Sequence, residues 1–189
     1  MLVSIFNGSP RREGNTSALV QQLAAALTAR GAEVEIVPLF QLNVLGCNNC
    51  GRCQHERLPR HCSIDDDMLQ LYPKYLASDV CVLASPIYMW QFTPCTLAFI
   101  NRLHCLAQSS DFRYNEQKGR LLAAAITMGD EKEVADYAVG GLKEFCEFYS
   151  MKYLGDVRVD HADRDQILAS GSDREIGALA DRIIARGQS

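Results

Sequence analysis

No stretch of the 189-residue chain approaches the roughly 18 uninterrupted apolar residues of a membrane-spanning helix. Excess basic charge is missing too. Net charge is −4, so no general field argues for a nucleic-acid partner. Low-complexity tracts and internal repeats are absent. Hydrophobic residues make up 48% and charged residues 22%, which excludes a disordered chain, a collagen-like repeat and a coiled-coil rod. The opening run Met1–Phe6 is too short for a signal-peptide core and has no basic residue before it. The expected compartment is the cytoplasm, where thiols stay reduced.

Cysteine is the residue present in quantity. Eight of 189 residues is about 4%, below the roughly 8–10% of a disulfide scaffold. In a reducing compartment these thiols read as core fillers, metal ligands or redox groups. Four fall within Cys47–Cys62, on the one long irregular segment, Gln41–Ser63. Loops of that length in compact domains are mostly functional or disordered.

Elsewhere, short β-branched runs alternate with helix-period segments. Strands are expected at Leu2–Phe6, Val34–Leu39, Val80–Ala84, Leu121–Thr127 and Tyr153–Val159. Helices are expected at Ser17–Arg30, Ile64–Ala77, Thr96–Leu106, Lys132–Phe148 and Asp173–Arg186. Asp65, Asp66 and Asp67 then fall in the first turn of the second helix, where acids suit the dipole. Five β-α units predict an α/β fold: a doubly wound five-stranded parallel sheet, flavodoxin-like, of order 2-1-3-4-5. The whole chain, residues 1–189, is read as one such domain with a cysteine-rich insertion at about 41–63. Ligands of such sheets bind at the carboxyl ends of the strands.

The turn after the first strand, Asn7-Gly-Ser-Pro-Arg-Arg-Glu-Gly-Asn-Thr-Ser17, is rich in donors for a phosphate at a helix N-terminus. Five residues separate Gly8 from Gly14 where a Walker A loop has four, and no lysine precedes the threonine. It is not G-x-G-x-x-G either. Gly8-Ser-Pro lacks the G-x-S-x-G elbow of a hydrolase. Arg11 and Arg12 make a local basic spot that a phosphate explains. After the third strand, Tyr88, the single Trp90 and Phe92 place aromatic surface near that turn, which suits a flat conjugated ring.

Gly8-Ser-Pro-Arg, Gly14-Asn-Thr-Ser, Ser85-Pro-Ile-Tyr and Ala98-Phe-Ile-Asn-Arg102 together resemble the NADPH-dependent FMN reductase family over about residues 1–130. That family includes quinone, azo and nitro reductases and the iron–sulfur flavoproteins. The resemblance implies that Ser9, Arg11, Asn15, Thr16 and Ser17 hold the FMN phosphate. It implies that Pro86, Ile87, Tyr88, Met89 and Trp90 lie along the isoalloxazine. Thr127 and Gly129, in Thr127-Met-Gly-Asp130, would cover the ring's other edge, in a loop less glycine-rich than the family's usual form. No side chain is required as an acid or base; the flavin carries the chemistry.

Cys47, Cys50 and Cys53 are spaced by two residues, and Cys62 follows after eight more. Three thiolates on one turning segment with a fourth to close the site is the pattern of cubane ligation. Structural zinc more often uses two separate knuckles. Three alternatives stand: a [4Fe–4S] cluster, zinc, or free redox thiols. The cluster resembles that of the iron–sulfur flavoproteins, down to Ile64-Asp-Asp-Asp-Met68, with a somewhat longer last gap. Cys81, Cys105 and Cys146 are expected to pack in the core, with Cys95 near the flavin edge. His104 and His161 are expected to be structural.

The resulting expectation is an FMN-dependent oxidoreductase. It takes hydride from NAD(P)H and passes electrons to a quinone, a nitro or azo compound, or a similar acceptor. The alternatives are an iron–sulfur flavoprotein carrier fed by ferredoxin, and a flavin-binding redox sensor. By resemblance alone, a homodimer or homotetramer is expected.

Overall fold

The computed structural model describes residues 1–108, 111–161, 164–168 and 173–187. Strands run over Leu2–Asn7 (β1), Glu33–Pro38 (β2), Val80–Tyr88 (β3), Gln91–Phe92 (β4), Leu121–Met128 (β5) and Lys152–Asp160 (β6). Helices are Asn15–Thr28 (α1), Arg52–His55 (α2), Met68–Ala77 (α3), Pro94–Arg102 (α4), Asp136–Phe148 (α5), Arg164–Leu168 (α6) and Asp173–Gly187 (α7). The parallel strands stand in the order β2-β1-β3-β5-β6, and β4 folds back antiparallel on β3. This is the five-stranded doubly wound order expected from the β-α alternation. Val3 lies opposite both Val34 and Val80, and Val80 also opposite Leu121.

Successive strand residues point to opposite faces, and here both faces are covered, so the central strands are apolar throughout. Phe6, Leu83 and Ile126 face a layer holding Tyr72, Tyr75, Phe99 and Leu142. Phe6 and Phe99 stack with centroids 4.5 Å apart. Ile5, Val82 and Ala125 face Leu19, Leu23, Leu179 and Ile183 on the other side. Small alanines on β5 let α1 pack close to the sheet. Among the described residues, no helix is long and apolar enough to cross a membrane.

Several boundaries differ from the sequence expectation, and four of the differences bear on the sites. β3 runs on past Ala84 to Tyr88, because Met89-Trp90 turns it into a hairpin with β4. α4 starts two residues early, at Pro94, where a missing N–H costs nothing. The expected helix to Leu106 ends at Arg102 and tightens into a 3₁₀ turn over Leu103–Leu106. The acidic triplet is the fourth difference, and it corrects the dipole reading. α3 begins at Met68, so Asp65, Asp66 and Asp67 precede it. Tertiary partners claim two of them: Asp66 accepts the Leu45 N–H at 2.8 Å and Asp67 accepts the Asn43 N–H at 2.7 Å.

Candidate functional site

The chain leaves β1 through a crowded turn. Gly8 donates its N–H to the Ala84 carbonyl at 2.8 Å and accepts from the Thr93 hydroxyl at 2.9 Å. A Cβ on Gly8 would lie 1.8 Å from Thr96 Oγ1, so only glycine lets this backbone lie against α4. The turn then fastens itself. Ser9 Oγ accepts the Arg11 N–H at 3.3 Å, and the Ser17 hydroxyl donates to the Arg11 carbonyl at 2.9 Å. Gly14 caps α1 in an extended conformation and offers its first turn no side-chain acceptor. First-turn N–H groups have no partner within their own helix, which favours an anion at that end.

Nine of the expected flavin-site residues line one open cavity of about 450 Å³: Ser9, Arg11, Asn15, Thr16, Pro86, Ile87, Tyr88, Thr127 and Gly129. The buried hydroxyls of Thr16 and Thr127 meet at 2.7 Å and tie the start of α1 to the end of β5. Three residues lie elsewhere. Ser17 is buried behind the turn and lines a groove of about 580 Å³ with Arg12, Ile36 and Phe40. Met89 and Trp90 line an adjoining cavity of about 320 Å³, which shares Ile87, Met128 and Gly129 with the first. Gly14, Met128 and His161 join the main cavity without having been singled out for it. His161 follows β6 directly and stands 3.8 Å from Glu131. Its place just past a strand's carboxyl end was the signal that could have found it.

Met89 and Trp90 form a two-residue turn with φ of 48° and 63°. Left-handed conformations at both positions suit Asn-Gly; a bulky side chain there costs roughly 1–2 kcal/mol. The strain holds Met89 at 81% and Trp90 at 52% exposure beside the cavity. Trp90→Gly should therefore raise unfolding stability by about 1 kcal/mol in urea denaturation. A lowered midpoint would mean that packing of the indole outweighs the backbone strain.

The second site is built by the long loop. Cys47, Cys50, Cys53 and Cys62 surround one small cavity of about 30 Å³ with Ile64, Arg102, His104 and Cys105. Cys47 and Cys50 are exposed; Cys53 and Cys62 are half-buried. Left-handed backbone at Asn49, Gly51 and His61 curls the loop around this space. The Ser63 hydroxyl and the Arg52 N–H hold the Cys50 thiol below its ordinary pKa. Burial pushes Cys53 up, and the three neighbouring thiols add to that rise. Among the described residues, no three of these sulfurs lie within 4.8 Å of one another. A single tetrahedral zinc with bonds of about 2.3 Å would hold them about 3.8 Å apart. The arrangement is more open than that.

Tertiary contacts fix the loop. Tyr114 donates to the Cys53 carbonyl at 2.5 Å, and Gln108 to the Gln54 carbonyl at 2.6 Å. Arg102 is the deeper anchor. Its Nη1 donates to the Leu45 carbonyl at 2.9 Å and to Asp66 at 2.6 Å, and its Nη2 to the second Asp66 oxygen at 3.0 Å. Burial alone would lower its pKa, but the bonds to Asp66 more than offset that, and its pKa is raised. Its Nε is buried with no partner. Sequence reasoning placed Arg102 only within a family pattern, and read His104 as structural and Cys105 as core packing. The structure brings all three to the cysteine cavity. Cys105 is indeed buried, which pushes its thiol up to about 12. Cys81 and Cys146 pack in the core as expected.

A doubly wound sheet whose strand ends gather a donor-rich turn, an aromatic hairpin and an open cavity defines a mononucleotide-binding α/β protein. The chain belongs to the NADPH-dependent FMN reductase family, whose model matches residues 1–161. It is a flavin oxidoreductase of the FMN- and NAD(P)H-dependent kind. It is 26% identical over 157 residues to an iron-sulfur flavoprotein of Methanosarcina thermophila, covering 82% of this chain and 78% of that protein. An iron-sulfur flavoprotein of Methanocaldococcus jannaschii is 28% identical over 156 residues, covering 82% and 77%. The fold is shared with RosB, solved with a bound 8-demethyl-8-formylriboflavin-5'-phosphate intermediate. That match has a TM-score of 0.79 at 12% identity and covers 100% of this chain and 79% of RosB.

Proposed function

We propose that the protein is an iron–sulfur flavoprotein oxidoreductase that moves electrons from NAD(P)H to a quinone, nitro or azo acceptor. The observation that carries the flavin site is the single cavity that brings α1, the end of β3 and the end of β5 together. Ser9, Arg11, Asn15 and Thr16 hold the FMN phosphate at the start of α1. Ser17 acts from behind by fixing the Arg11 carbonyl. Pro86, Ile87 and Tyr88 lie along the ring, Thr127 and Gly129 close its far edge, and Met89 and Trp90 border the space where a flat acceptor stacks. Bound FMN supplies hydride acceptance and its release as single electrons or a pair. The protein's part is to bind, orient and exclude water; no side chain is needed as an acid or base.

Cys47, Cys50, Cys53 and Cys62 would hold a [4Fe–4S] cluster, which supplies one-electron transfer. The partnerless Arg102 nitrogen beside four thiols suits an anionic group that accepts hydrogen bonds, and three cysteines on one turn with a fourth to close the site match cubane ligation better than paired zinc knuckles. A second reading, a carrier fed by a ferredoxin-like donor, is favoured by the exposure of Cys47 and Cys50 at the surface. The two cofactors would be tested together by an anaerobic absorption spectrum with iron and acid-labile sulfide analysis. Flavin bands without iron or sulfide would leave the cysteines as thiols. Brisk NAD(P)H oxidation with a quinone would exclude a pure carrier. Thr16→Ala should weaken FMN about tenfold, about 1.4 kcal/mol, because it removes a phosphate donor and the tie to Thr127. Wild-type affinity by fluorescence titration would count against the phosphate assignment.

A further inference from the structure

The Arg102 side chain is 1% exposed and its Asp66 partner 0%. Two of its three nitrogens are used, on Asp66 and on the Leu45 carbonyl. The third, Nε, is sealed from solvent with no acceptor. A buried donor left without a partner costs about 1–3 kcal/mol, and more on a charged group, so such groups are rare and call for a reason. Here the reason is next door, since Arg102 lines the cavity that the four cysteines surround. Other donors at this cavity have partners: Gln54 Nε2 reaches the Cys53 sulfur at 3.4 Å, Ser63 meets the Cys50 sulfur at 3.4 Å, and the Cys105 thiol donates to the Arg102 carbonyl at 3.1 Å.

We propose that Arg102 Nε–H donates to a sulfur of the bound cluster, and that this contact tunes the cluster's reduction potential. The inference rests on the cluster reading above. An oxidised [4Fe–4S] core carries two positive charges and its four thiolates four negative, so the assembly is anionic. One added electron makes it more so. A fixed donor and cation therefore stabilise the reduced form more than the oxidised form. Hydrogen bonds to the sulfurs and net charge are two of the levers that set such potentials. Asp66 positions the donor. It grips both Nη atoms, which leaves Nε as the edge of the guanidinium without a fixed acceptor. Asp66 also accepts the Leu45 N–H, so one carboxylate orders both the loop and the arginine. Effects should stay local, because the flavin cavity lies beyond the other end of α4, a helix of nine residues, about 13 Å.

The test is a potentiometric titration of the anaerobically reconstituted holoprotein, with the cluster followed by electron paramagnetic resonance and the flavin by absorbance. Iron and sulfide are measured on every sample. Arg102→Lys keeps a cation for Asp66 and loses the Nε donor. It should retain iron and sulfide while its one-electron equilibrium shifts at least tenfold toward the oxidised cluster, a potential about 59 mV lower. Arg102→Gln with Asp66→Asn removes both buried charges together, a change that is often tolerated, and keeps an amide oxygen for the Leu45 N–H. It should show the same fall if Arg102→Lys does not fold. An unchanged potential in the variants that fold would overturn the proposal, and so would an equal shift of the flavin. Wild-type protein that takes up no iron or sulfide would fail the cluster reading itself, a result distinct from both.

Discussion

Asp66→Ala should unfold with about 3–5 kcal/mol less free energy than the wild type, because it strands the buried Arg102 guanidinium without its counterion. Charge neutralisation is only part of the loss. The same carboxylate accepts the Leu45 N–H, and Arg102 holds the Leu45 carbonyl. Removing it therefore also frees the stretch that leads into Cys47. Urea denaturation of the variant should show the lower midpoint, and iron retention should fall with it. Asp65→Ala is the control: Asp65 is exposed and paired only with Arg60 at the surface, an interaction of about 0–1 kcal/mol. Equal losses at the two positions would mean that the acidic run acts as a surface cluster after all.

Gly8→Ala is the second large effect. The new methyl group would meet Thr96 Oγ1 at 1.8 Å and Thr93 Oγ1 at 2.8 Å, closer than any relaxed contact allows. Overpacking of this kind costs about 1–3 kcal/mol. Here it also pushes the Ser9–Ser17 turn off α4, so FMN affinity should fall by at least about tenfold, about 1.4 kcal/mol. Adding Thr96→Ala removes the nearest clash, and the double variant should recover part of both losses. Calorimetric titration with FMN beside thermal unfolding would measure this. A single variant that binds FMN like the wild type would show that the turn tolerates displacement.

Most of the residues that line the strand-end cavity are legible in the chain, because they sit on the loops that the β-α alternation already locates. Ser9 to Thr16 and Pro86 to Tyr88 need only the sheet order to be placed together. Met89 and Trp90 line the adjoining cavity, held there by a left-handed turn that neither side chain advertises. Ser17 is a phosphate donor by residue type; its hydroxyl donates to the Arg11 carbonyl at 2.9 Å, a contact that its type alone does not reveal. His161, expected from the sequence to be structural, is brought to the cavity by the end of β6.

The cysteine loop divides along the same line. Spacing alone grouped Cys47, Cys50, Cys53 and Cys62, since ligands a few residues apart on one turn must be neighbours. Nothing local could reveal that Asp66 pairs with Arg102, 36 positions away, or that Cys105 and His104 share the cavity. By itself the sequence determined the doubly wound order, the two loops that meet at the strand-end cavity and the cysteine grouping. All three follow from short-range periodicity and spacing. The tertiary structure decided which acid is buried, which hydroxyls line the cavity and where a charged nitrogen is left without a partner. Those depend on what long-range packing brings alongside each side chain, and burial is what gives a single charge or hydrogen bond its weight.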